Sequence, residues 1–195
     1  MRLIVVLTMT LMLASIGFAQ QGVQRPFSEG GTVRLRLSSG DYVIKPGAGD
    51  AIRIRWTPNN PADSPEMKKI KVQADVSGQI ATIRTEGPTK FAHMTIEVPA
   101  HSDLYLRMRG GDVWISGIEG NKDVHMTAGD LKIDMATDSY SYVHAAVTFG
   151  DLVAHPLGIA KDGIKNHFEW SGAGKYKLDA SLFAGDLVLV GGQKN

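Results

Sequence analysis

The sequence predicts an all-β protein: a β-solenoid-like (parallel β-helix-type) stack of strand–Gly-Asp–strand rungs with an antiparallel N-terminal part. Three observations carry this. A Gly-Asp pair followed by alternating apolar residues occurs five times, at Gly40-Asp41, Gly111-Asp112, Gly129-Asp130, Gly150-Asp151 and Gly185-Asp186. The residues before each pair alternate in the same phase. No window shows sustained helical periodicity, whereas period-two alternation recurs along the chain.

In chain order, the first element is a leader. Met1-Arg2 gives a short positive start, Leu3 to Leu13 is an almost unbroken apolar run, and Ala14 to Ala19 turns small, with Gly17 and Ala19 at the −3 and −1 places of a cleavage site. The run falls short of the roughly 20 residues a bilayer crossing needs and reads as a secretory signal peptide over 1–19. Residues 20–29 are expected to be a flexible mature N-terminus and 30–195 one β domain, with a soft division near residue 100. Before that division, Ala51–Trp56, Ile70–Ala74, Ile80–Arg84 and His93–Val98 alternate as strands. The stretch from Thr57 to Pro65 carries three prolines and is expected to be a loop.

The Gly-Asp units organise the rest. Stepping back by two from the residue before Gly111 gives Leu104, Leu106 and Met108; from the residue before Gly150, Val143, Ala145, Val147 and Phe149 itself; from the residue before Gly185, Leu178, Ala180 and Leu182. Lys122 breaks the pattern before Gly129. Glycine takes backbone angles at a sharp bend that other residues resist, and aspartate caps backbone N–H groups there. The leucine or valine two places after the glycine returns to the same core, each contributing about 1.5–3 kcal/mol on burial. One unit cannot close a core, but stacked units can. The last corners are separated by 18, 21 and 35 residues. The long step predicts an unmarked rung, for which residues 163–170 are the candidate.

Composition narrows function. The chain has 195 residues, is 43% hydrophobic and 21% charged, and contains no cysteine. It can bury a core, while thiolate metal sites, cysteine nucleophiles, disulfides and lipid attachment at a cysteine are excluded. Cleaving the leader removes Arg2 alone and leaves basic and acidic residues in balance. Such a chain has no general field for nucleic acid, and no integral membrane segment is expected after leader removal.

The strand ending in Val98-Pro99, the strand running to Gly111-Asp112-Val113, the Gly117-Ile118-Glu119-Gly120 turn and the strand running to Gly129-Asp130-Leu131 together resemble the bacterial adhesin-like toastrack domain (DUF4097 family). The likeness is clearest from Ile96 to Ala154 and extends from Gly30 to the C-terminus. The resemblance implies a single β-solenoid-like domain with parallel strands and an antiparallel cap, exported to the bacterial envelope. The family has no established catalytic residues, so none carry over. This sequence departs from some relatives in lacking adjoining membrane helices.

No catalytic residue, metal ligand or cofactor is assigned. The corner aspartates are expected to cap turns, a calcium ladder being the alternative. Glu119, Asp134, Asp138 and Glu169 are the acids that a polysaccharide-active enzyme could use, with no spacing that singles them out. His125 and His144 share a strand phase that could form a surface zinc pair. Arg34, Arg36, Arg53, Arg55, Arg107 and Arg109 take outward positions; they either form a basic stripe for an acidic polysaccharide or lipid head group, or keep sheet edges from pairing. Tyr105, Trp114, Tyr140, Tyr142 and Phe183 are read as outward aromatics. Of these, Tyr105, Trp114 and Tyr142 are the ligand-binding candidates, because exposed aromatics mark interfaces. The partner expected is an envelope protein or glycan, with self-association through exposed end rungs left open. A polysaccharide-active enzyme and a purely structural envelope protein are the competing functions.

Overall fold

The structure, a computed structural model, describes residues 21–191; the expected leader lies outside them. Seventeen strands follow in chain order: β1 (Gln21–Pro26), β2 (Thr32–Leu37), β3 (Asp41–Pro46), β4 (Ala51–Pro58), β5 (Lys71–Ser77), β6 (Ile80–Glu86), β7 (Ala92–Val98), β8 (Asp103–Met108), β9 (Val113–Ile115), β10 (Lys122–Ala128), β11 (Leu131–Met135), β12 (Tyr140–Phe149), β13 (Leu152–Ala154), β14 (Ile159–Lys161), β15 (Ile164–Ser171), β16 (Tyr176–Ala184) and β17 (Leu187–Gly191). One four-residue helix, α1 (Ser64–Met67), interrupts the expected proline-rich loop and buries Met67. The chain is all-β, with two mixed sheets. One sheet runs β1-β4-β7-β3-β9-β11-β17-β13-β14, the other β15-β12-β16-β10-β8-β2-β6-β5.

The two sheets share one core because each unit gives a strand to both. Six strand–corner–strand units stack in the order β6–β7, β2–β3, β8–β9, β10–β11, β16–β17, β12–β13. Neighbouring units pair in parallel on both sides. Alternation then aligns the apolar side chains into rows. Leu35, Leu106, Val124, Ala180 and Ala145 are Cα partners across one sheet. Tyr42, Val113, Leu131, Leu187 and Leu152, each two places after a corner glycine, form the facing row. All ten are buried, as are Val147 and Leu182.

Several expectations are corrected. Residues 21–26, expected within a flexible lead-in, form a strand paired along its length with β4. Parallel pairing does not begin near residue 100: β2, β3, β6 and β7 already belong to stacked units, with Gly87 at φ +96° bending the first of them in place of a Gly-Asp pair. Antiparallel strands close both ends of the stack, β4 and β5 at one and β14 and β15 at the other. Residues 163–170 are therefore no extra unit; β15 runs back antiparallel along β12. Tyr140 is buried rather than outward, because the register with β16 shifts between Tyr140 and Tyr142 and reverses the strand phase. Phe149 keeps its expected phase but lies beyond the core at the strand end, 46% exposed and edge-on to Phe183 at 5.4 Å.

Candidate functional site

The corner column fixes the geometry of both faces. Gly111, Gly129, Gly185 and Gly150 have φ between +105° and +128°. A Cβ on any of them would lie within 2.1 Å of the carbonyl oxygen of the glycine in the next unit. The aspartates cap the neighbouring unit. Asp130 N–H donates to Asp112 Oδ1 at 3.1 Å, Asp186 N–H to Asp130 Oδ1 at 3.3 Å, and Asp151 N–H to Asp186 Oδ1 at 3.1 Å. Among the described residues, no group of three or more His, Cys, Asp or Glu side chains converges to hold a metal ion.

At the opposite end of the units, on the nine-stranded sheet, an open cleft of about 950 Å³ is lined by Lys45, Trp114, Glu119, Lys132, Asp134, Asp138, Tyr140 and Tyr176, among others. The alternation of β9 turns Trp114 outward, where it stays 43% exposed. Its indole Nε1–H donates to Asp134 Oδ1 at 3.2 Å, and Lys132 Nζ lies 4.6 Å from the ring centroid. Behind this wall sits Lys122. It does not break the strand phase: it faces inward between Leu104 and Leu178 and is 2% exposed. Its ammonium donates to Ile118 O at 2.7 Å, to Gly120 O at 3.4 Å and to the Tyr140 hydroxyl. Burial lowers Lys122 to about 8 against the opposing pull of Asp103, Glu119 and Asp134. Burial first, then Tyr176 and Glu119, raises the Tyr140 hydroxyl. With its three donors engaged by neighbouring oxygens, the lysine is a structural brace rather than a base poised over the cleft.

The three sequence-predicted aromatics do not form one site. Tyr105 on β8 and Tyr142 on β12 belong to the eight-stranded sheet, and Trp114 to the other. Tyr105, 42% exposed, stands between Arg34 and Asp123 in register. Tyr142 is opposite Lys177 and Ser171, three strand positions away. Its hydroxyl is raised by burial first and then by the Glu169 carboxylate. The candidate acids also divide. Glu119, Asp134 and Asp138 line the Trp114 cleft, while Glu169 sits on β15 of the other sheet. His125 and His144 are separated by β16 and held by different acids, Asp123 at 2.8 Å and Asp179 at 3.2 Å.

The arginines divide in the same way. Arg53 and Arg55 lie on the nine-stranded sheet beside Glu97, to which Arg55 donates. Arg34, Arg36, Arg107 and Arg109 lie on the eight-stranded side, joined by Arg84, whose strand is legible in the sequence but whose neighbours are not. Arg84, Arg36, Arg107 and His125 are successive Cα partners across β6, β2, β8 and β10. Arg107 also donates to Asp123 Oδ1 at 2.7 Å. Burial alone would raise the Asp123 carboxyl; the hydrogen bond and charge of Arg107, then those of His125, outweigh it and hold it low.

No family model matches the chain, and no curated protein sequence matches it. Among solved structures, it is similar to a candidate cell adhesion protein from Clostridium sporogenes, at 12% identity over 87% of this chain and 98% of that one, with a TM-score of 0.52. It is also aligned with a candidate adhesin from Bacteroides fragilis, at 12% identity over 88% and 97% of the two chains, with a TM-score of 0.37. The first likeness concerns the fold alone. Among the described residues, no helix is long and apolar enough to cross a membrane.

Proposed function

We propose that the chain is a β-solenoid-like, non-catalytic binding module exported to the bacterial cell envelope, and that it engages an envelope glycan through the Trp114 cleft. The observation that carries this reading is the half-exposed indole, anchored by Asp134 in an open cleft beside further carboxylates. A sugar presents a C–H face that stacks on an aromatic ring and hydroxyls that donate to carboxylates. Lys122 and Tyr140, the strongly shifted pair at this wall, are occupied with each other, which supports binding over acid–base chemistry. The fold shared with a candidate cell adhesion protein, together with the N-terminal leader read from the sequence, supports a role outside the cytoplasm.

The test is a glycan array followed by titration of the best binder with wild type and Trp114→Ala. Truncating a central tryptophan is expected to weaken binding at least about 30-fold, while the thermal midpoint moves by less than about 4 °C because the ring is half exposed. If no glycan binds, or if Trp114→Ala binds as well as wild type, the reading fails.

A further inference from the structure

We propose that the outer face of the eight-stranded sheet carries a second, independent site for an acidic polysaccharide, built on Arg84, Arg36, Arg107 and His125 with Arg109 at its rim. These four row positions are adjacent on consecutive parallel strands. At about 4.8 Å per strand they form a straight line about 15 Å long. Arg36, Arg107, Arg109 and His125 line a cleft of about 820 Å³ together with hydroxyls such as Thr127, and no aspartate or glutamate lines it. The guanidinium groups of Arg36, Arg84 and Arg109 make no hydrogen bond or ion pair with any described residue. Asp123 is shared between Arg107 and His125, and the other ring nitrogen of His125 meets Ser181 Oγ, so the histidine bounds the row while the guanidinium groups supply its free donors.

Like charges directly opposite one another destabilise a sheet. On the nine-stranded sheet the cations are separated, since Glu97 stands between Lys45 and Arg53 in register, and the acids that meet on the eight-stranded sheet, Asp123 opposite Asp179, each have a histidine beside them. Protection of a sheet edge does not explain the exception, because β6, β2, β8 and β10 are interior strands and the edges are β5 and β15. An anionic ligand does explain it. Guanidinium groups bind carboxylate or sulfate with two parallel hydrogen bonds, and a line of them fits a chain with repeating charges. A cleft admits a narrow chain where a bilayer plane cannot follow. The stacking aromatics that accompany single-stranded nucleic-acid binding do not line it.

The experiment is calorimetric titration of the protein with polygalacturonate, dextran sulfate and phosphatidylglycerol vesicles, with neutral dextran as blank, at low and at physiological salt. Wild type should bind at least one polyanion, ignore dextran and weaken as salt rises. Arg36→Gln/Arg109→Gln removes two groups that hold nothing in the fold, so the thermal midpoint should be kept or raised while affinity falls at least tenfold. Lys68→Gln/Lys161→Gln removes the same charge elsewhere and should bind as wild type, as should Trp114→Ala, which separates this site from the indole cleft. Absence of binding to both polyanions, equal weakening by the two double variants, or binding only to phosphatidylglycerol vesicles would overturn the proposal, the last in favour of a bilayer.

Discussion

Replacing Gly129 by alanine tests the corner column directly. The residue sits at φ +108°, and a Cβ there would lie 2.0 Å from the Gly111 carbonyl oxygen and 2.7 Å from its carbonyl carbon. A backbone conformation of this kind costs a non-glycine residue about 1–3 kcal/mol. Neither neighbour can rotate aside, since both are main chain, so two units must separate by more than 1 Å. Overpacking of that sort costs about 1–3 kcal/mol. The parallel hydrogen bonds at the corner, such as Gly129 N–H to Ala184 O at 3.0 Å, weaken with it. The total is about 2–6 kcal/mol. Gly158 is the control: it has φ +65° and open space where a Cβ would stand, so Gly158→Ala carries conformational strain alone, about 1 kcal/mol. Urea unfolding followed by circular dichroism should show Gly129→Ala with a much lower midpoint and an unchanged slope. Heating should show a loss of roughly 4–24 °C against about 2–4 °C for the control. If the two variants lie within about 1 kcal/mol of each other, direct backbone stacking is not what holds the units together.

Stability should also rise with pH through Lys122. Its folded value near 8 lies below the ordinary 10.5, so below pH 8 both states are charged and the burial penalty is fully present. Between 8 and 10 the unfolded chain binds more protons, and stability climbs toward a gain of about 3 kcal/mol. Above about pH 10 the raised Tyr140 hydroxyl reverses the trend, because the unfolded tyrosine ionises first. Urea unfolding from pH 7.5 to 9.5 should show the rise in wild type and a flat profile in Lys122→Met. Leu106→Ala, at a fully buried row position, should lose about 2–5 kcal/mol in the same assay. Asp130→Ala removes the acceptor of the Asp186 N–H at an exposed corner and should lose only about 1 kcal/mol.

The units themselves were legible in the sequence because their signal is local. A corner glycine, an aspartate and alternating apolar residues appear within a dozen positions, and Leu106, Val147 and Leu182 all face the core as that pattern requires. The order of stacking was not legible. β6–β7 lies outside β2–β3, and nothing in either segment encodes which neighbour it takes. Lys122 looked like an interruption because alternation is read by polarity, whereas its long side chain keeps the inward phase and finds oxygen acceptors at the unit's end. Tyr140 was misplaced by a single irregularity, which flips every side chain on one side of it. Trp114 was recognised as exposed, but its acid partners depended on tertiary placement. The arginine row was visible only in part: Arg84 reaches Arg36 across 48 positions of chain, a distance at which periodicity carries no information.

The placement of β16–β17 between β10–β11 and β12–β13 has a consequence for assembly. A tandem array grown by duplication and folded as it emerges would lay each new repeat on the last. Here the final described segment is a wedge, threaded into a slot whose two walls were synthesised before it. Until Tyr176–Gly191 arrives, those walls have unsatisfied strand edges facing one another across an empty course. Trimming that segment would therefore detach β12–β15 from the four units on the other side of the slot instead of merely shortening the stack.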